Sequence, residues 1–277
     1  MFEPFSAPYM QSALLAGLLI AVPCGLLGVW VVMRGLAFFS HAVGVATFPG
    51  VVVGLAVPAI GPFAGSMAAA GAFGVAVSSV ETDHRLHGGA VTGLVLATAM
   101  AVGAVLLTTV ARVSTPVETV LFGSLLGISD ADVARCAIVA VSALGALAVL
   151  WTRLEASTFD RAWAAPAGAR ASRTDGLLLI LIGFTVVTAL PAVGSLMVSG
   201  LLVIPAATAR LLCERLATMS ACAVTLCASE VVIGLAAARE LDVAPGASIA
   251  ALGGLGFALA AAAGAVRSGW VRRTVAT

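Results

Sequence analysis

Long apolar runs, separated by short stretches of charged or turn-forming residues, follow one another along almost the whole chain. They lie at about residues 11–33, 36–58, 61–80, 90–111, 132–152, 176–193, 195–212, 218–238 and 248–266. Most of them approach the roughly 20 apolar residues that an α-helix needs to cross a bilayer. The pattern therefore predicts an all-α, polytopic membrane helix bundle with about nine apolar segments and about 8–10 spans.

Small residues and prolines along the chain indicate how the helices pack. Pairs of glycines four residues apart let helix backbones approach closely in lipid. They are Gly50 with Gly54, Gly61 with Gly65, and Gly123 with Gly127. Pro23, Pro49 and Pro205 each remove a backbone hydrogen bond inside an apolar run, which predicts a kinked or broken helix. Broken helices can line a substrate path, although kinks are also common in ordinary bundles.

The composition supports a membrane protein with a single domain. Hydrophobic residues make up 61% of the chain and charged residues 10%, whereas soluble domains have about 45–50% apolar and about 25% charged residues. A net charge of +1 gives no basic patch for nucleic acid. No polar stretch is large enough for a second domain, so we expect residues 1–277 to form one transmembrane domain.

The arginines predict the orientation of the bundle. The loop at residues 153–175 is rich in arginine, and short loops of this kind stay in the cytoplasm. Alternation of the spans then places the N-terminus outside and the C-terminus in the cytoplasm. Only three of the 14 arginines, Arg112, Arg135 and Arg239, lie outside in this scheme. The bias towards the inside supports the assignment.

The sequence has few residues that could couple transport to ATP or to an ion gradient. It contains no lysine, so it has no P-loop lysine to hold ATP. Glu230 is the only carboxylate deep inside a predicted span, whereas a proton or sodium relay usually needs more such groups. An ATP-driven partner subunit is therefore favoured, and an ion-coupled carrier or a channel is the alternative. ATP-dependent uptake would distinguish them.

Several motifs, in a fixed order, carry a family resemblance. They include Phe159-Asp160-x-x-x-Ala164-x-x-x-Gly168, the segment VGSLMVSGLLVIPAATARLL from Val193 to Leu212, LFGSLL at residues 121–126, AGLLIAVPCGLLGVWVVMRGLAF near the N-terminus, and LDVAPG at residues 241–246. Together they resemble the permease subunits of the bacterial ABC importers for zinc, manganese and iron. The matches extend from about residue 13 to about residue 250.

This resemblance implies a set of partners and a location. The chain would pair with a second copy of itself in the bacterial plasma membrane, and ATPase subunits would dock beneath the pair. An extracellular or periplasmic binding protein would deliver a divalent metal. The resemblance also implies that the chain performs no covalent catalysis and holds no permanent cofactor, because the metal is its cargo.

The cytoplasmic loop is similar to the segment that couples these permeases to their ATPase. The residues implied in coupling are Phe159, Asp160, Trp163, Ala164 and Gly168. Phe159 and Trp163 would be the apolar anchors in a groove of the ATPase. A helix lying on the membrane surface is the alternative use of the same aromatics. The family's usual Glu within this motif is replaced by Ala162.

The metal path departs from the family pattern Gly-Asp-Ala-x-x-His-x-x-x-Pro-Gly. This chain reads SHAVGVATFPG from Ser40 to Gly50, so His41 stands at the Asp position and Val45 at the His position. The resemblance implies that His41, Pro49 and Gly50 lie along the path, with His41 as the metal ligand. A neutral imidazole can ligate zinc if other groups add ligands. The alternative is a buried histidine that makes one hydrogen bond.

Glu230 is the remaining candidate on the path. A carboxylate inside a span is costly unless it is paired or hydrated, so we treat it as functional by default. A protonated carboxyl bonded to a neighbouring carbonyl would explain it equally well. The departures at His41 and Val45 also leave open a substrate that is a metal complex or another small molecule.

Overall fold

Ten α-helices and no strand are found among the residues that the structure describes. This computed structural model describes residues 8–57, 59–81, 88–109, 130–159, 171–193 and 195–275. The helices are α1 (Pro8–Met33), α2 (Ala37–Ala46), α3 (Phe48–Ala56), α4 (Gly61–Glu81), α5 (Gly88–Thr109), α6 (Asp130–Phe159), α7 (Ala171–Val193), α8 (Ser195–Leu212), α9 (Leu216–Leu241) and α10 (Pro245–Val275). The predicted all-α helix bundle is confirmed.

Each apolar run of the sequence corresponds to helix. Seven segments of the described chain are long and apolar enough to cross a membrane, and α2 and α3 together form one of them, Ala37–Ala56. Two shorter apolar helical segments, Thr174–Leu190 and Met197–Leu212, lie within α7 and α8. These nine segments correspond to the nine apolar runs. Apolar runs form helices because a backbone in lipid must satisfy its own hydrogen bonds, and a helix does so within one segment.

The second span is broken at Thr47, as Pro49 predicts. Pro49 lies in the first turn of α3, where its missing amide hydrogen costs least. The hydroxyl of Thr47 donates to the carbonyl of Gly44 at 2.6 Å, and the amide of Val51 donates to the carbonyl of Thr47 at 3.0 Å. In contrast, Pro23 and Pro205 lie inside α1 and α8, and both helices continue past them.

The helices extend into both ends of the predicted loop at 153–175. α6 continues to Phe159 and α7 begins at Ala171. The connection between these helices is therefore confined to residues 160–170, which lie outside the described part of the chain.

The buried core is centred on α1, which packs against α6, α7, α8 and α9. Ile20, Leu27 and Trp30 of α1 are fully buried. Gly28 allows α1 to approach α8 closely, because a Cβ atom at this position would collide with the carbonyl oxygen of Leu202. The first helix therefore forms the centre of the bundle, and the broken second span lies beside it.

The glycine pairs of the sequence form a direct contact between α3 and α4. Gly50 faces the backbone of Gly65, and Gly54 faces the backbone of Gly61. A Cβ atom at any of Gly50, Gly54 or Gly65 would collide with the opposite helix. Two predicted small-residue motifs thus pack against each other, as expected for helices that associate in lipid without a hydrophobic driving force. Gly123 and Gly127 lie outside the described residues.

Candidate functional site

His41 lies in α2 and contacts Ser199 of α8. Its ring nitrogen Nδ1 is 3.2 Å from the Ser199 hydroxyl oxygen, and the imidazole is half-buried. When Nδ1 carries the proton and donates to Ser199, the lone pair of Nε2 is the one that can bind a metal. The contact therefore orients the imidazole, and in this tautomer it leaves Nε2 as the nitrogen that a cation would meet.

Ser199 was missed by sequence reasoning. It belongs to the segment from Val193 to Leu212 that carries the family resemblance, but the sequence assigns it no role. A hydroxyl in an apolar helix is a signal of interhelical hydrogen bonding. That signal did not identify the partner, because His41 is 158 residues away in the sequence.

The surroundings of His41 supply few further metal ligands from one chain. Val45, one turn along α2, is half-buried and has no side-chain donor atom. Among the described residues, no group of three or more His, Cys, Asp or Glu side chains is positioned to hold a metal ion. A cation at His41 would therefore need oxygen ligands from water or hydroxyl groups, or ligands from another chain.

Pro49 and Gly50 lie just after the break in the second span, in the first turn of α3, which packs against α4 and α5. Pro49 borders a cavity of about 430 Å³, which is also lined by Ala46, Phe73, Leu94, Thr98 and Val102. The cavity is apolar except for Thr98, whose hydroxyl donates to the carbonyl of Leu94 within its own helix. Gly50 packs against Gly65. Within one chain, these two residues thus shape helix packing beside the site.

Glu230 lies in α9, where its half-buried side chain faces α10. A Cβ atom at Gly253 would be 2.9 Å from the carboxyl oxygen Oε2 and 3.0 Å from Cδ. The absence of a side chain at Gly253 therefore makes room for the carboxyl group. His41 instead contacts Ser199 of α8, and no group of three or more His, Cys, Asp or Glu side chains in the described part of the chain includes either residue.

Most of the predicted coupling residues lie outside the described part of the chain. They are Asp160, Trp163, Ala164 and Gly168. Phe159 is the last residue of α6. The structure does describe the helices on both sides of this segment, α6 before it and α7 after it, and these helices pack against each other.

Comparison with known proteins extends over nearly the whole bundle. Residues 6–264 match the ABC 3 transport family. The manganese transport system membrane protein MntC of Halalkalibacterium halodurans is 31% identical over 255 residues, covering 92% of this chain and 87% of that protein. The chelated iron transport system membrane protein YfeC of Yersinia pestis is 30% identical over 260 residues, covering 93% of this chain and 87% of that protein.

A solved structure has the same arrangement of helices. It is that of PsaBC from Streptococcus pneumoniae in complex with Fab, and its matching chain superposes with a TM-score of 0.81 at 25% sequence identity. The match covers 92% of this chain and 91% of that chain. The broken second span, with His41, and the helix that carries Glu230 both lie within the range of the family match.

Proposed function

This chain belongs to the ABC 3 transport family, and we propose that it is the membrane-spanning permease subunit of a binding-protein-dependent ABC importer for a divalent metal ion. The family match over residues 6–264 carries this proposal, since it includes both the broken span and the loop between α6 and α7. Relatives named for manganese and for chelated iron transport support the choice of cargo. We propose manganese, iron or zinc: an imidazole suits iron and zinc, and manganese is supported by the relative named for its transport.

In this proposal, ATP is hydrolysed by a separate subunit. The absence of lysine from the whole sequence supports this division, because the chain has no P-loop lysine. A pair of these permeases would form the pathway, and an extracellular or periplasmic binding protein would load it. Closure of the ATPase subunits would move the segment at residues 157–170 and thereby tilt the spans around the path.

At the path itself, we propose that Nε2 of His41 contacts the metal in transit while Ser199 holds Nδ1. One imidazole per chain is a weak metal site, and weak binding suits a cation that must leave on the other side. The second copy of the chain would add its own imidazole. Glu230, on α9 and facing Gly253 of α10, would line the path from those two helices.

A metal complex is the second candidate for the cargo. The absence of a donor atom at Val45 favours it, because a metal that keeps its own ligands needs fewer from the protein. The relative named for chelated iron transport points in the same direction.

The class of transporter is tested by uptake into vesicles. We expect Mn²⁺ or Fe²⁺ to enter proteoliposomes only when the permease is reconstituted with its ATPase subunit and binding protein and supplied with ATP. A non-hydrolysable ATP analogue should give no uptake. Metal entry with the permease alone would contradict the proposal and indicate a channel or an ion-coupled carrier.

The orientation is tested with a tag placed at the C-terminus, after Arg273. We expect the tag to be accessible only from the cytoplasm, because short arginine-rich segments remain on that side. The measurement is labelling by a membrane-impermeant reagent in intact and in permeabilised cells. Labelling of the tag in intact cells would contradict the predicted orientation and place the C-terminus outside.

A further inference from the structure

The turn between α1 and α2 has a defined geometry that fixes where α2 begins. Gly35 has a φ of +70°, and the amide of Leu36 donates to the carbonyl of Val31 at 2.8 Å. The amide of Gly35 donates to the carbonyl of Val32 at 3.3 Å. These two bonds form a Schellman motif, the usual way in which a left-handed glycine ends a helix. Only residues 34–36 separate α1 from α2, so the position of α2 depends on where α1 ends.

The side chain of Arg34, in this turn, reaches the last turn of α6. Its Nε donates to the hydroxyl of Thr158 at 3.0 Å, and its Nη2 donates to the hydroxyl of Ser157 at 2.6 Å. Nη2 also donates to the carbonyl of Leu154 at 3.3 Å. The Arg34 side chain is only 9% exposed. The guanidinium thus joins the α1–α2 turn to the end of α6, where the hydroxyls of Ser157 and Thr158 also donate to the carbonyl of Leu154.

The same guanidinium reaches the first turns of α7. Its Nη1 forms an ion pair with the carboxylate of Asp175. Arginine is suited to this role because its planar, always charged fork can donate to several groups at fixed angles. A single side chain therefore joins the start of α2 to both helices that flank the proposed coupling segment.

Two neighbouring contacts further connect the end of α1 to α6 and α8. Trp30 and Trp151 pack edge to face, with ring centroids 5.2 Å apart, and hold α1 against α6 deeper in the bundle. Nη1 of Arg210, in the last turn of α8, donates to the carbonyl of Val32 at 3.2 Å. The end of α1 is thereby connected to α8 as well, the helix that carries Ser199.

We infer that Arg34 is the positioning residue that makes the start of α2, and with it His41, follow the paired ends of α6 and α7 during transport. This inference rests on the proposed function, because it assigns a route for the work that the ATPase delivers. The ends of α6 and α7 cannot move away from the α1–α2 turn without breaking charge-assisted hydrogen bonds in a largely buried setting. Movement at these ends is therefore passed to the half-helix that holds the imidazole.

The test compares ATP hydrolysed with metal transported in the complete reconstituted transporter. We expect Arg34→Gln to assemble with the ATPase subunit and to hydrolyse ATP, but to transport on the order of tenfold less metal per ATP. Asp175→Asn removes the charge of one partner and Thr158→Val removes the hydroxyl of another, so each should lower the ratio by less. Arg34→Lys keeps the ion pair but not the fork, and should restore part of the ratio.

Arg135→Gln is the matched control. Arg135 pairs with Asp132 at 2.9 Å within α6 itself, so this ion pair connects no two helices. We expect the wild-type ratio for this variant. A wild-type ratio in Arg34→Gln would overturn the inference.

Two further outcomes are decisive. If Arg34→Gln fails to reach the membrane, the variants Asp175→Asn and Thr158→Val provide the test. A lowered ratio of metal transported to ATP hydrolysed in both variants supports the inference. A wild-type ratio in both overturns it. If the wild-type complex itself shows no ATP-dependent uptake, the proposed function fails in the same assay, and the inference fails with it.

Discussion

Replacing His41 with alanine is expected to abolish metal uptake while leaving the permease folded in the membrane. The imidazole is the proposed ligand of the metal, and its Nε2 has no counterpart in alanine. The side chain is half-buried and makes one contact to Ser199 at 3.2 Å, so its removal should cost little stability. The measurement is initial uptake of Mn²⁺ or Fe²⁺, with the amount of assembled complex determined in parallel.

Substitutions around His41 separate ligation from packing. His41→Gln can keep a hydrogen bond to Ser199, but an amide is a poor ligand for borderline metals, so uptake should remain low. Val45→His adds an imidazole one turn along the same helix face and should strengthen or broaden metal use. Ser199→Ala frees the ring and should weaken apparent metal affinity about tenfold. Normal uptake in both His41 variants would remove His41 from the path and favour a metal complex as cargo.

Ser142→Ala is the control for the serine variant. Its hydroxyl donates to the carbonyl of Val139 within α6 at 3.0 Å, and it contacts neither α2 nor α8 through this bond. We expect no change in the metal dependence of uptake for this variant.

Replacing Phe159 and Trp163 with alanine is expected to dissociate the ATPase from the permease. An aromatic anchor buried in a partner pocket contributes on the order of 2 kcal/mol or more, so each substitution should weaken association by roughly 30-fold. The measurement is co-purification of the ATPase at limiting concentration, together with ATP-dependent uptake. The permease should remain in the membrane in both variants.

Phe63→Ala provides the control for the loss of an aromatic side chain. Phe63 is exposed near the start of α4, which the predicted topology places on the outer side of the membrane. It should leave ATPase binding unchanged. Full ATPase binding and transport in both Phe159→Ala and Trp163→Ala would refute the assignment of this segment as the docking loop.

The helices of this protein were determined by its sequence alone. Apolar runs of about 20 residues leave a chain in lipid few choices other than helix, because unpaired backbone groups are costly there. The glycine pairs at residues 50 and 54 and at residues 61 and 65 likewise indicated close helix packing through their four-residue spacing. The family resemblance also came from sequence, since its motifs occur in a fixed order along the chain.

Tertiary structure decided the effect of each proline. Pro49 begins a new helix after Thr47, whereas α1 and α8 continue through Pro23 and Pro205. The local chemistry is the same at all three, since each lacks an amide hydrogen. Because the missing amide hydrogen is common to all three prolines, the local pattern does not distinguish a break from a continuous helix, and only the folded helices do.

Tertiary structure also decided the partners of the polar side chains. Sequence identified His41 but neither Ser199 nor the role of Arg34, whose partners lie 120 to 141 residues away. It associated Gly50 with the path, which stays a prediction, and the fold adds that Gly50 packs against Gly65 of α4. The reason is physical: helix periodicity and apolar length are local properties of the chain, whereas a hydrogen bond between helices depends on which helix faces pack together.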